Sequence, residues 1–301
     1  MSAELWPITE EFAAEIGDVD LSQPLDDADW RLIDDAYNRY SVLVFPGQRL
    51  DHGDHAKFAA RFGPVAQTID VNWEDVEHRL PPDISDVSNL GPDGRVMAPG
   101  DRKLDILSGN RLWHTDSSFL TTPADASLLY MPAIPPVGGF TEFADMRAAW
   151  DALDEELKAK VEGRIAMHSI ATSRKRMGVE LTEAELAVFQ AVPQAMVRTH
   201  RASGRKSLYI AAHVGDIVGM DRAEAERLLE RLMAHATQRQ FVYAHRWRPY
   251  DLVVWDNKCT LHRGRPFDEG RWPRDAQRAT VNDVGPTCEQ EGLAYPADAA
   301  E

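Results

Sequence analysis

"DLVVWDNKCTLHRG", Asp251 to Gly264, is the stretch on which the reading of this chain turns. "DLVVWDN" has an unbroken apolar centre, Leu252 to Trp255, and is too short for an ordinary helix. It reads as a strand buried within a sheet. "CTLHRG" reads as a second short strand, and it carries His262. Working outward, the same pattern recurs at "ASLLYM", "TEFAD", "RIAMHSI", "AMVRTH", "KSLYIAA", "QFVYAHRW" and "QRATVNDV". Many short strands separated by Gly and Pro turns point to a sandwich or a jelly-roll barrel. Helical patterns interrupt them at "DMRAAWDALDEELKAKVEG" and "DRAEAERLLERLMAHATQ". Strands and helices do not alternate in strict βαβ order, which argues against a doubly wound fold. No G-x-G-x-x-G follows a strand and no G-x-x-x-x-G-K-[ST] occurs, so a nucleotide site is not expected.

Nearer the beginning, "LDDADWRLIDDAYNRY" places Trp30, Ile33, Tyr37 and Tyr40 at helical spacing behind an Asp cap. "SVLVFPGQ" follows as a buried strand ended by Pro46-Gly47, and "DHGDHAKFAARFG" as a short helix closed by Gly63. Residues 64 to about 105 read as mostly irregular, with turns at "RLPPD" and "LGPDG". A loop of that length within a compact domain is expected to act as a lid.

The chain has 301 residues, 44% of them hydrophobic, enough for a large core, and the expectation is one domain over 1–301. Two cysteines, Cys259 and Cys288, form neither C-x-x-C nor a disulfide framework, which fits a reducing compartment. "MSAELWPITEEFAAEIG" has no basic or apolar region of the kind that targets a chain to export, so a cytoplasmic location is expected. No segment is long and apolar enough to span a membrane. The net charge of −16 disfavours nucleic acid and anionic lipid as partners. Small anionic ligands then require local clusters of Arg that overcome the global field.

Ten histidines occur, and two stand in H-x-D: His52-Gly-Asp54 and His114-Thr-Asp116. His52 lies at a polar helix start, where i and i+2 do not share a face, so its pair reads as incidental. His114, in "LWHTDSSF", reads as part of a strand, where i and i+2 project together. With His262 as a remote third ligand, two imidazoles and one carboxylate suit the facial triad of Fe(II), which leaves positions for a chelating co-substrate and O2. Catalytic zinc uses similar donors and stays open at this point. "PRDAQRAT" places Arg274 and Arg278 four apart near the expected last strand, and in an extended segment both project to the same side. Two inward guanidiniums are suited to bind carboxylates.

These residues together resemble the taurine dioxygenase family of Fe(II)/2-oxoglutarate-dependent dioxygenases. "WHTD", "GGFTEF", "HRGRPFD" and "RDAQRAT" carry the resemblance, with "SVLVFPGQ", "DISDVSNLGPDG", "TEFADMRAAWDAL", "SGRKSLYI" and "HATQRQFVY". It is nearest to the 2,4-dichlorophenoxyacetate dioxygenase branch and spans roughly residues 41 to 283. The resemblance implies a double-stranded β-helix (jelly roll), mainly β with flanking helices. It implies His114, Asp116 and His262 as iron ligands, Thr141 and Arg274 on the far carboxylate of 2-oxoglutarate, and Arg278 beside the inner carboxylate, helping to bind an anionic substrate. The implied reaction hydroxylates the carbon next to an ether oxygen, giving a phenol and glyoxylate, with succinate and CO2 as co-products. The same chemistry on taurine, another sulfonate, an alkyl sulfate or a natural aromatic acid is the alternative, and a homo-oligomer is expected. Trp113 and Phe119 are expected to offer a ring-binding surface. His200 and His213 end probable strands and could reach the pocket, although a structural, hydrogen-bonded role is the preferred reading of each.

Overall fold

The computed structural model of the chain describes residues 2–68 and 77–295. Its largest sheet has seven strands among the described residues, in the order Glu4–Pro7, Ala13–Gly17, Val42–Phe45, Asp251–Asp256, Ala124–Ala133, Asp275–Asn282 and Ser85–Asp86. Neighbours run antiparallel except Ala13–Gly17 beside Val42–Phe45, which are parallel. The strand Asp251–Asp256 lies near the centre and is buried along its whole length. That explains why its sequence is apolar without alternation: both faces are covered.

The two faces meet different partners. Leu43, Phe45, Leu128, Tyr130, Leu252, Val254, Ala279 and Val281 share a core with the helix Asp27–Tyr40 and with Phe58 and Ala59 of the helix His52–Ala59. Val42, Val44, Leu129, Met131, Val253, Trp255 and Ala276 face inward and pack against Phe143 and Trp247. Phe143 belongs to a three-stranded sheet in the order Val242–His245, Thr141–Asp145, Thr260–Gly264. A second three-stranded sheet (Val214–Ile217, Ile165–His168, Val192–Ala195) and a two-stranded one (Val197–Thr199, Lys206–Leu208) continue the smaller layer. Ala144, Ala166, Val197 and Leu208 from these sheets pack with Leu228, Leu229 and Leu232 of the helix Arg222–Ala236. This is the expected jelly-roll core with flanking helices.

Several details differ from the expectation. The helical pattern over 145–163 is two helices, Met146–Asp151 and Glu155–Val161, because Asp154 accepts from the Leu157 N–H at 2.7 Å and starts a new helix. The stretch 64–105 is not wholly irregular. Val65 bridges Val281, Ser85–Asp86 adds an edge strand beside Asp275–Asn282, and Arg102–Leu107 is a helix capped by Asp101. Residues 69–76 of that stretch lie outside the described residues. His114 is not in a strand. It makes a single antiparallel bridge to His262, after which the chain turns through Ser117 at φ 55°. The turn is held by the Asn257 side chain, whose oxygen accepts from the Asp116 N–H at 3.1 Å.

Candidate active site and metal centre

The bridge joins residues far apart in sequence. The His114 N–H donates to the His262 carbonyl at 3.0 Å, and the His262 N–H donates back at 2.8 Å. Both side chains therefore leave neighbouring backbones in a fixed relation, and Asp116 follows two residues on. One ligand atom from each of His114, Asp116 and His262 lies within 4.8 Å of the others. Exposure is 5%, 3% and 6% respectively, so water competes little for them.

Their protonation states suit a cation. The His114 Nδ1–H donates to the Leu112 carbonyl at 2.8 Å, which leaves Nε2 with its lone pair toward the cluster. Burial pushes His114 below the ordinary imidazole range, although Asp116 pulls the other way. Burial likewise holds His262 well below it, helped by His114, and the His262 Nδ1 is buried without a partner. For Asp116 burial favours the neutral acid, but Arg278, His262 and His114 outweigh it and hold the carboxyl well below its usual range. Two neutral imidazoles and one ionised carboxylate are what a divalent metal requires. Asp116 is also oriented: Arg278 pairs with its Oδ1, the Ser127 hydroxyl donates to Oδ2 at 2.7 Å, and Asn257 Nδ2 donates to Ser127 Oγ at 2.9 Å. His52, by contrast, is exposed at the start of its helix, and Asp54 closes a capping box with Asp51. The pattern there is incidental.

Thr141 is buried at the end of its strand, opposite Gly264, and its oxygen accepts from Trp247 Nε1 at 3.0 Å. Arg274 lies just before the last strand and Arg278 within it, and the pairing of that strand with Ala124–Ala133 shifts register between Asp275 and Gln277. Its backbone is fixed by Asn89, and its side chain lines a cleft with Val87, Leu104, Leu107, Gly264 and Phe267. Among the described residues no hydrogen bond joins Arg274 to Thr141, but Gly264, opposite Thr141, lines the same cleft as Arg274. Burial lowers the Arg274 pKa to about 10 against the pull of Glu269, which is itself bound to Arg111 at 2.6 Å.

The family described as taurine catabolism dioxygenase TauD, TfdA family, matches residues 4–280. The chain belongs to the TauD/TfdA family of dioxygenases. Within it, the chain is 42% identical over 285 residues to an alpha-ketoglutarate-dependent 2,4-dichlorophenoxyacetate dioxygenase of Cupriavidus pinatubonensis, covering 94% of this chain and 99% of that one. It is 39% identical over 274 residues to an (S)-phenoxypropionate/alpha-ketoglutarate-dioxygenase of Sphingobium herbicidovorans, covering 88% and 90%. The crystal structure of AAD-2 in complex with Mn(II) and N-oxalylglycine superposes with a TM-score of 0.91 at 42% identity, covering 95% of this chain and 100% of that one.

Around the TauD/TfdA-type triad, the two histidines left open by sequence separate. The His200 ring bonds Ser203 Oγ at 2.8 Å and faces Asp256 at 3.3 Å, a structural pairing. The His213 ring lies 6.0 Å from that of His114 and 5.1 Å from that of Phe119, so it borders the site. Phe119 also meets Phe189 edge to face at 5.8 Å. Trp113 differs from Phe119: its ring is covered by Arg263 at 4.5 Å. Sequence reading overlooked Arg174, which is 6% exposed and close enough to affect His114. "SRKRMG" looks like the solvated basic end of a helix, and only the absence of an acidic partner marks Arg174 out.

Proposed function

We propose that this chain is an Fe(II)- and 2-oxoglutarate-dependent dioxygenase that cleaves aryloxyalkanoates. Hydroxylation of the carbon between the ether oxygen and the carboxylate gives a hemiacetal, which breaks down to a phenol and, from a phenoxyacetate, glyoxylate. The observation that carries the reading is the buried His114–Asp116–His262 cluster, set among guanidiniums in a chain aligned nearly end to end with phenoxyalkanoate dioxygenases.

His114, Asp116 and His262 would hold the metal. Bound there, Fe(II) supplies the redox chemistry that couples decarboxylation of 2-oxoglutarate to succinate and CO2 with hydroxylation by O2. Arg274 has no ion-pair partner among the described residues and receives the far carboxylate of 2-oxoglutarate. Thr141 assists it: its oxygen already accepts from Trp247, so its own O–H is free to donate. Arg278 keeps Asp116 ionised, and its other N–H groups, with Nε buried and unpartnered, would be available to an anion bound at the metal. The stretch around 64–105 serves as a cover, since Val87, Leu104 and Leu107 line the cleft that holds Arg274.

The test is O2 uptake with Fe(II) and 2-oxoglutarate across phenoxyacetate, taurine and an alkyl sulfate. Iron-dependent succinate formation matched by phenol release is expected, faster than sulfite release from taurine. Rapid taurine turnover without phenol release overturns the substrate class and leaves the dioxygenase standing.

A further inference from the structure

Three arginines, Arg147, Arg174 and Arg198, are buried among the described residues. Arg147 lies 3.6 Å from Asp145 and donates to the carbonyls of Glu11 and Arg39. Arg198 pairs with Asp283 at 2.7 Å. Arg174 has no acidic partner among the described residues. Its one hydrogen bond is from Nη1 to Ser173 Oγ at 3.2 Å, and its Nε is buried without a partner. A guanidinium has five N–H donors. Leaving Nε and a full charge unmet in the interior is costly unless something else meets them.

The placement of Arg174 says what that is. It lies on the helix Ile170–Arg176, with its guanidinium packed on Gly109, in the turn that leads to His114. A Cβ on Gly109 would overlap Nη1, so the glycine is what admits the guanidinium. Ser173 gives its hydroxyl proton to the Ile170 carbonyl at 2.8 Å and therefore accepts from both Arg174 and His213, the latter at 3.0 Å. The His213 ring then touches Phe119, and Phe119 touches Phe189. A cationic end thus adjoins an aromatic wall, next to the metal ligands. Arg278 gives Nη1 to Asp116 beside the other two metal ligands, and Arg274 lines the separate cleft beside Gly264.

We propose that Arg174 binds the carboxylate of the aromatic substrate, with Phe119 and Phe189 against its ring. This rests on the aryloxyalkanoate reading above and deepens it: Arg278 braces the metal ligand, Arg274 takes the co-substrate, and Arg174 selects an acid as substrate. A buried charged hydrogen bond of this kind corresponds to roughly ten- to a hundredfold in affinity.

The experiment titrates phenoxyacetate and the neutral phenoxyethanol into the full chain loaded with Mn(II) and 2-oxoglutarate, by calorimetry. The unaltered protein should prefer the acid. Arg174→Gln should weaken phenoxyacetate ten- to a hundredfold and remove that preference, with phenoxyethanol and 2-oxoglutarate binding as before. Gly109→Ala, which keeps the arginine but displaces its guanidinium, should weaken phenoxyacetate in the same direction. It decides the matter if Arg174→Gln does not fold. Either folded variant that retains the preference for the acid overturns the role of Arg174, as does loss of 2-oxoglutarate binding in step with phenoxyacetate. An unaltered protein with no preference for the acid overturns the aryloxyalkanoate reading itself.

Discussion

Arg198 and Arg174 are both buried, one in each of two differently built regions. Around Arg198 the scaffold supplies Asp283 at 2.7 Å and Gln290 at 2.9 Å. Around Arg174 it supplies one serine hydroxyl. The same contrast separates Arg147, beside Asp145 and backbone carbonyls, from Arg274, which has only a distant Glu269. Scaffold charges are neutralised within the chain. Near the metal ligands, positive charge is left over, in a protein whose net charge is −16. The difference identifies the region where ligands complete the electrostatics.

The largest effect that could break this comparison is at the centre itself. His114→Ala, Asp116→Ala and His262→Ala should each abolish succinate formation, whereas His52→Ala should match the unaltered protein. Full activity in any of the three removes that residue from the metal site. A second test sets the two regions against each other. Arg198→Ala leaves Asp283 buried and unpaired and should cost about 3–5 kcal/mol of stability in urea unfolding, with the Michaelis constant for 2-oxoglutarate unchanged. Arg274→Ala should do the reverse, raising that constant about ten- to a hundredfold with little effect on unfolding. If both variants affect stability alone, Arg274 belongs to the scaffold.

The scaffold tolerates buried bases as long as they stay neutral. Burial lowers the pKa of His55 to about 4 and that of His168 to about 3, from 6.5. Below pH 6.5 the unfolded chain takes up protons that these folded rings refuse, so stability falls with pH toward about 4 and about 3 respectively. At pH 5 each should cost on the order of 2 kcal/mol relative to pH 7, read as a lower urea midpoint. His168→Gln should flatten part of that slope, and an unchanged slope in that variant would exclude His168 as a source. The smallest effect is at Thr141→Val, where one neutral hydroxyl is lost, worth about 0.5–1.5 kcal/mol. The Michaelis constant for 2-oxoglutarate should rise less than in Arg274→Ala, and a larger rise would exchange the ranks of the two residues.

The strands of the central layers were legible in sequence because double-sided burial writes itself as an unbroken apolar run, as in "VLVF" and the "LVVW" of Asp251–Asp256. The strands Glu4–Pro7 and Ala13–Gly17 were not, since the edge strand "ELWP" carries a proline and a charge, and "AAEIG" beside it is small and interrupted by a Glu. The metal cluster was legible because its residue types are rare together and chemically selective. Arg174 was not, because an arginine in a basic helix end looks solvated until its neighbours are known. The extended reading of His114 was right for one residue only: a single bridge, not a strand, aims it.

The order of strands in the large sheet also bears on how the site comes into being. His262 follows Asp116 by 146 residues, and the strand bearing Arg278 is inserted between Ala124–Ala133 and Ser85–Asp86 after both are made. During synthesis at about 5–20 residues per second, the first two ligands therefore wait many seconds for the third. Closure must also span long stretches of chain, which slows folding. An unfinished chain holds a lone His–Asp pair, a weak claim on any metal. High-affinity loading is thus a late event, and retained metal is a certificate that the strand Thr260–Gly264 has gone in.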